Sequence, residues 1–579
     1  MDRNRTYVGL STSYRRSSVA VVSPAGELQF AHGGERILEC NGGPAYSETF
    51  ARLVERYCNT ETEIVLALAT NEKSPVTPQE FPPSHGENRK HRRGKDECSG
   101  VPVALRAAEV ASAFAKRCES QLLSHMEAAF EYELERVRGW SEGILEVRRY
   151  PTHLCHAAAA CFTGPYTEAL CAVVDGSEGQ SGRCYVYRDG TLSELSPARR
   201  PKHEGSLGAL YRDVCTACGF QAALGDHWKI MALAQHGTFD SEIHSFLRAY
   251  VAADGLSLKS VDQTELVAIY DKLDGVSRRP DEPVLSAANL ACTAQMVFEE
   301  TLCALLRNIH ATGMSRNLVF AGDCALNSSA NGAILERTGF KNLHIPPAPD
   351  AEGGAVGAAL LAYQEDERAI NLLPRFQTPY LGFEVQPTDF EATASGLNSY
   401  KITHCEHSAV LHAARLLADG KTVGWINGRA EFGCRALGNR SVLADPRRDN
   451  FYELVNGNAT RSFGVAILHE YGPEYFDGYQ TSPYGERALK FRLKAARRIP
   501  CAVQRDGRAQ VQSIRRDWNE RLYDLIFAFY SMTGIPLVIN MNYGMTDGTA
   551  PETLEDIYLT FATSKINVLF VENLLIAKH

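Results

Sequence analysis

The 579-residue chain has no apolar run approaching the roughly 20 residues that a membrane-spanning helix needs. Its first residues, Met1-Asp2-Arg3-Asn4-Arg5-Thr6, run straight into a strand-like segment without the apolar stretch of a secretory signal. An excess of positive charge is missing too: the formal net charge is -9 and the pI about 6.1, which argues against bulk nucleic-acid binding. The 16 cysteines lack paired spacing, so free thiols in a reducing, cytoplasmic setting are expected. The one Cys-x-x-Cys, Cys215 and Cys218, has no second pair nearby and reads as helix packing. No repeat of solenoid length occurs. With no span and no basic face, neither a membrane nor a nucleic acid is expected as a partner. What is present is ordinary globular composition, 44% hydrophobic and 22% charged, at a length that predicts two or more domains.

Tyr7-Val8-Gly9-Leu10 and Ser18-Val19-Ala20-Val21-Val22 are rich in β-branched residues, and Pro24-Ala25-Gly26-Glu27 supplies a turn, predicting a hairpin plus a third strand over 7–37. Residues 71–100 hold several prolines and the charged run Glu87 to Lys95, a long surface loop or a lid over an anionic ligand. Helices are expected over 101–136 and 153–162. Ala169 to Asp175 reads as an apolar strand, followed by a second hairpin turning at Arg188-Asp189-Gly190. Two strand–hairpin units separated by helices suggest a duplicated α/β layout. Asn317 to Gly322 is another buried strand, a helix opens near Asn327, and the small-residue helix Gly353 to Tyr363 should pack closely. Prolines 374 and 379 mark a linker over 366–380. A second unit over 381–579 would have strands at Thr422–Ile426, Leu537–Asn540 and Val568–Val571.

Several motifs could carry chemistry. Asp175-Gly176 ends an apolar strand, a common place to hold a metal or phosphate because glycine lets the backbone approach closely. His153 and His156, at i and i+3, share a helix face. They could share a metal, or be one core and one exposed histidine. Lys229 sits between apolar residues and needs an anionic partner, for which a phosphate would serve. Gly428-Arg429-Ala430-Glu431-Phe432-Gly433-Cys434-Arg435-Ala436-Leu437-Gly438-Asn439-Arg440-Ser441 is more specific: three forked guanidiniums among small residues suit phosphate or carboxylate groups.

This last stretch resembles the EFGPRALGNRS motif of the NodU/CmcH-type O-carbamoyltransferase family of nodulation and antibiotic biosynthesis. Other motifs follow in the family's order: Thr152 to Ala160 resembles HHLAHAASA, Asp175-Gly176 the VDG, Ser206 to Tyr211 the SLGxxY, Gly225 to Gly237 the GxxxKxMGLAxxG block, Ala321 to Gly332 the AGGxALNxxANG, and Gly534 to Asn540 the TGVPVLLNTSFN block. The resemblance implies an α/β chain in which an actin-like (Kae1/ASKHA) duplicated domain over 1–365 is followed by a YrdC-like α+β domain. The reaction implied forms carbamoyladenylate from carbamoyl phosphate and ATP, then transfers the carbamoyl group to a small-molecule hydroxyl acceptor. His156, Asp175 and Lys229 would carry the transfer. Gly176, Gly208, Lys229, Gly322, Asn327, Arg429, Arg435, Asn439, Arg440, Arg461 and Asn540 would bind the co-substrates. A divalent metal, Fe2+ in some members, would lie on His153, His156, Asp175 and Asp350.

The sequence departs from the family at positions that would touch phosphate, metal or acceptor. Thr152 stands for the first metal histidine and Ala351 for the late metal aspartate, with His153 and Asp350 adjacent. Arg15 stands where the acceptor-site histidine falls, and Asp323 replaces a glycine near the nucleotide. Arg461-Ser462-Phe463-Gly464 matches RPFA, but no lysine occurs between Lys421 and Lys490. Gln510 replaces an arginine, and Met541 lies in the Asn-Thr-Ser-Phe-Asn segment. Three readings stay open: an active O-carbamoyltransferase of natural-product biosynthesis, a degenerate paralogue acting as partner subunit or ligand-binding protein, and an enzyme of altered ATP-dependent acyl or amide chemistry. A homodimer, or a heteromer with an intact paralogue, is the expected assembly.

Overall fold

The computed structural model describes residues 4–12, 17–34, 45–58, 62–70, 122–136, 145–176, 182–197, 200–222, 225–367, 377–385, 400–448, 463–544 and 554–578. The proposed lid at 71–100, the stretch 101–121, Arg15 and Arg461 lie outside the described residues.

Two five-stranded sheets carry the first part of the chain. The first is ordered β3-β2-β1-β4-β5, from β1 (Arg5–Thr12), β2 (Ser17–Val22), β3 (Leu28–Gly34), β4 (Glu63–Thr70) and β5 (Leu145–Pro151). The second is ordered β8-β7-β6-β11-β12, from β6 (Glu168–Val173), β7 (Arg183–Arg188), β8 (Thr191–Glu194), β11 (Asn317–Ala321) and β12 (Asn342–His344). Between these in the chain, β9 (Ala252–Asp254) and β10 (Ser257–Lys259) form a small separate hairpin. In each large sheet the first strand pairs antiparallel with the second and parallel with the fourth. In each, the second also pairs antiparallel with the third, and the fourth parallel with the fifth. The duplicated layout expected from the two hairpins is therefore present down to strand direction. The turn joining β7 to β8 places Asp189 and Gly190 at φ +46° and +78°, the doubly left-handed backbone that a two-residue hairpin needs.

Helices α3 (Thr152–Phe162) and α8 (Ala351–Glu367) are packed between the two sheets and share one buried core with both. α1 (Ala45–Tyr57) and α2 (122–136) cover the outer face of the first sheet. The outer face of the second is covered by helices including α4 (Leu207–Ala217), α5 (Trp228–Ala234), α6 (Ala288–His310) and α7 (Ser328–Arg337). Small residues make the inner layer possible. A Cβ added at Gly357 would stand 1.8 Å from the Cys155 carbonyl oxygen of α3, and one at Gly9 of β1 1.8 Å from the Ala355 carbonyl oxygen of α8. Cys215 and Cys218 are buried on the inner side of α4, and burial pushes both thiols up to about 12, so they pack and do not react.

Residues 400–578 build a nine-stranded mixed sheet ordered β13-β21-β20-β14-β15-β19-β16-β18-β17. Its strands are β13 (Tyr400–His404), β14 (Val423–Ile426), β15 (Arg440–Ala444), β16 (Gly464–Leu468), β17 (Arg487–Lys490), β18 (Arg508–Ile514), β19 (Leu537–Asn542), β20 (Val568–Val571) and β21 (Leu574–Lys578). α9 (Ala409–Ala418) and α10 (Glu520–Thr533) pack against each other and the sheet. This part docks closely on the second sheet. A Cβ at Gly332 would meet the Ala488 carbonyl oxygen at 2.0 Å, Asn331 donates to the Glu486 carbonyl at 2.9 Å, and Arg487 donates to the Leu343 carbonyl at 2.5 Å. His344 lies in the same seam between the rings of Tyr166 and Tyr484.

Burial, and secondarily Arg487, lowers the His344 pKa to about 3. An unfolded histidine titrates near 6.5, so between these values the unfolded chain takes up a proton that the folded chain refuses, and stability falls as pH falls. This one group supplies a slope of up to about 1.4 kcal/mol per pH unit. His344→Phe is expected to flatten the pH dependence of the urea midpoint below about pH 6.5; an unchanged slope would refute the assignment. In the inner layer, Gly357→Val is expected to cost about 3 kcal/mol, read as a lowered thermal midpoint.

Candidate functional site

The parallel strands β6 and β11 end side by side, and their loops are cross-tied. Val174 N–H donates to the Ala321 carbonyl at 3.0 Å and Cys324 N–H to the Val174 carbonyl at 3.1 Å. This places Asp175 beyond the C-terminal edge of the second sheet, where open α/β sheets bind their ligands. Its Oδ1 accepts from the Asp323 N–H at 2.9 Å. Its Oδ2 faces two imidazoles of α3, His153 Nε2 at 3.2 Å and His156 Nε2 at 3.9 Å. Both histidines are buried, at 4% and 3% exposure, so the alternative of one core and one exposed histidine is excluded. His156 Nδ1 has no hydrogen-bond partner among the described residues.

Glycines line this pocket where any side chain would collide. Gly322 sits at φ +91°, and a Cβ there would stand 2.6 Å from Asp175 Oδ1. A Cβ at Gly208 would stand 2.2 Å from the Gly176 Cα. Gly208 is in the first turn of α4, whose N-cap Ser206 accepts from the Ala209 N–H and donates to the Asp175 carbonyl. The N-terminal end of α4 therefore abuts the Asp175-Gly176 turn. The Asp323 carboxylate faces Gly176, so the added negative charge read from the sequence does lie beside this turn.

Two further expectations are corrected. Among the described residues, no group of three His, Cys, Asp or Glu side chains could hold a metal ion. His153 and His156 each bring Nε2 close to Asp175 Oδ2, at 3.2 and 3.9 Å. Asp350 is buried on the neighbouring loop, where the Pro349 carbonyl accepts from Gly322 N–H at 2.7 Å, but it completes no such set. The residues present do not fit the implied metal. Lys229 also has its anion within the chain: its Nζ lies 2.7 Å from Asp226 Oδ1, one helical turn back. Asn327 caps α7 through the Ala330 N–H at 3.0 Å and exchanges hydrogen bonds with Gln295, both at 3.0 Å, which accounts for its side chain structurally.

The arginine-rich motif forms a loop across the nine-stranded sheet, organised by an acid that the sequence reading did not single out. Glu431 Oε1 accepts from the N–H groups of Leu437, Asn439 and Arg440 at 3.0, 2.7 and 2.9 Å. A polar row on the strands beneath holds the loop's carbonyls: Asn542 to Cys434 at 3.1 Å, Asn540 to Ala436 at 3.1 Å and Gln512 to Leu437 at 2.9 Å. An acid inside an arginine-rich, glycine-rich stretch was the available signal.

The three arginines separate by role. Arg440 is 1% exposed and donates to the carbonyls of Asn427, Asn439, Phe383 and Gly428, at 2.9–3.1 Å. Arg429 donates to the carbonyls of Gly382 and Leu381 and, at 2.9 Å, to that of Gln29 in β3. Burial lowers the pKa of both. These two direct most of their contacts to backbone, although the buried Nε of Arg440 has no partner among the described residues. Asn439 likewise donates to the Arg429 carbonyl at 2.8 Å and accepts from Asn519 at 3.1 Å. Arg435 differs. Its Nη2 donates to the Leu326 carbonyl, on the loop after β11, at 3.3 Å, and its buried Nη1 has no partner among the described residues. Gly485, at φ +66°, and Gln510 flank it. The main-chain N–H groups of 433–436 likewise find no acceptor among the described residues. With the carbonyls of Cys434, Ala436 and Leu437 tied down and the N–H groups of 433–436 without acceptors among the described residues, this loop is a candidate anion site.

The architecture is thus that of a mixed α/β protein with a His–Asp cluster at the strand ends of one sheet and an arginine-bearing loop on another. Residues 110–360 match the carbamoyltransferase N-terminus family and residues 414–578 the carbamoyltransferase C-terminus family. Nodulation protein NolNO of Sinorhizobium fredii is 29% identical over 442 residues, covering 74% of this chain and 63% of that one. Nodulation protein U of Bradyrhizobium diazoefficiens is 26% identical over 514 residues, 82% of this chain and 83% of that one. An uncharacterised Synechocystis protein is 28% identical over 468 residues, 74% and 75% of the two chains. The chain belongs to the carbamoyltransferase family and is an enzyme of that class.

The roles assigned to the arginines predict opposite phenotypes. Arg440→Lys leaves carbonyls that one ammonium cannot span. Each charge-assisted hydrogen bond lost costs about 1.5–3 kcal/mol, so the thermal midpoint should drop by several degrees. Arg435→Gln should leave it nearly unchanged.

Proposed function

We propose that the protein is an O-carbamoyltransferase that makes carbamoyladenylate from carbamoyl phosphate and ATP and passes the carbamoyl group to a hydroxyl of a small molecule. The carrying observation is the 433–436 loop, with its unused N–H groups and the unpartnered Nη1 of Arg435. Such a cradle suits a phosphate oxygen. It stands in for the missing lysine and for the arginine replaced by Gln510. In this reading the C-terminal part is the YrdC-like domain expected from the sequence motifs, and the two like sheets are the actin-like one. Arg435 also touches the loop after β11, so the adenylate is formed beside the pocket that uses it.

In the pocket, the acceptor hydroxyl oxygen attacks the carbamoyl carbon, the bond from that carbon to the phosphate oxygen breaks, and AMP leaves. The hydroxyl proton goes to the imidazole pair, oriented and stabilised as a cation by Asp175. The N-terminus of α4 and the Gly176–Gly208 contact hold the leaving phosphate. Asp323 restricts this pocket to a ligand with less negative charge at that point than a triphosphate. No step is assigned to a metal, because the donor set does not fit one.

Purified protein given ATP and carbamoyl phosphate is expected to release pyrophosphate, with neither co-substrate sufficient alone. Arg435→Gln should cut that release about 10–100-fold, the worth of a lost charge-assisted contact. Asp175→Asn should spare pyrophosphate release and stop carbamoyl transfer. Absence of both pyrophosphate and ATP binding would sink the reading in favour of a degenerate paralogue.

A further inference from the structure

We propose that the C-terminal part carries a peripheral docking surface for an anionic lipid bilayer, outside both candidate sites. Residues 487–498 read Arg-Ala-Leu-Lys-Phe-Arg-Leu-Lys-Ala-Ala-Arg-Arg, with no acid, in a chain of net charge -9. Lys490, Arg492, Lys494, Arg497 and Arg498 are exposed, and Leu493 in their midst is 80% exposed, far more than the other exposed large apolar side chains. Arg498 ties this segment to the end of α10, donating to the Gly534 carbonyl at 2.7 Å and to the Tyr475 hydroxyl at 3.2 Å.

The adjoining half of α10, 525–534, has no charged residue and leaves Phe527 and Met532 exposed at 46% and 43%. Tyr530 lies beside Phe527, ring centroids 6.4 Å apart, and 4.8 Å from the ring of Tyr471. The acids nearby are partly engaged: Glu470 accepts from Tyr523 at 2.6 Å and Asp477 lies 3.8 Å from Arg492, while Glu474 is exposed.

An exposed leucine set among flexible cations, tied through Arg498 to a helix half without charge, matches the requirements of a bilayer interface. The apolar groups enter the acyl boundary, while lysine and arginine stems lie along it with their heads on lipid phosphates. A second copy of the chain is disfavoured, because a two-fold interface would set the cationic segment against itself. Lysine is also depleted from the cores of protein interfaces, yet Lys494 neighbours the most exposed apolar group. Bilayer docking requires no membrane-spanning segment, and among the described residues no helix is long and apolar enough to cross one.

The test is co-sedimentation of the full chain with phosphatidylcholine vesicles and with phosphatidylcholine–phosphatidylglycerol vesicles. Binding is expected only to the second kind, and to fall as salt rises. Lys494→Glu with Arg497→Glu should weaken it at least about 25-fold, since each cation near such a surface is worth roughly fivefold. Leu493→Asp should weaken it about tenfold or more. Circular dichroism and pyrophosphate release report whether each variant is folded. Equal binding to both vesicle types, no binding to either, or binding unmoved by the variants would overturn the proposal. So would protection of these residues by a soluble acidic polypeptide alone.

Discussion

The narrow space between the two five-stranded sheets governs much of the rest of the molecule. Two helices share it, and they fit only because their facing residues are alanine and glycine, with backbone meeting backbone at Gly357 and Gly9. Close packing of this kind does more than bury apolar area. It fixes the axial position of α3 against the ends of β6 and β11, because a carbonyl seated over a missing side chain cannot slide. His153 and His156 ride on that helix, so their reach to Asp175 is set by the packing of Gly357 on Cys155, which lies between them in the chain.

The second candidate site is rigid for a different reason. A buried carboxylate, Glu431, gathers the N–H groups on one side of a loop, while a polar row on the sheet gathers its carbonyls. Buried arginines supply the remaining donors. Arg440 and Arg429 show how a guanidinium in an arginine-rich motif can act mainly on backbone, because a cation taken out of water must be surrounded by acceptors. Arg435 makes fewer contacts to backbone than these two, and its Nη1 has no partner among the described residues. It reaches toward the strand ends of the other sheet, which couples the two candidate sites through one side chain.

The family substitutions look different once placed. Asp323 lies next to Gly176 and donates its own N–H to Asp175, so it changes the charge of the pocket without breaking its frame. Gln510 donates to the Gly485 carbonyl at 2.7 Å and props the backbone beside Arg435. These residues alter what the pockets would accept while leaving their walls in place.

What the sequence determined by itself was mostly local. β-branched runs and a Gly-containing turn define the strands and hairpins, because those preferences act within a few residues. The small-residue composition of α8 announced close packing, and the ordered motifs announced the family. The tertiary structure alone decided which candidates meet. It joined His153, His156 and Asp175, drawn from a helix and a strand end, gave Lys229 to Asp226, and gave Asn327 to Gln295. It separated Arg435 from Arg429 and Arg440, which look alike in the sequence. The reason is physical: a charged side chain's role depends on which partners reach it first, and those partners, such as the Gln29 and Phe383 carbonyls, lie far away in the chain and near only after folding.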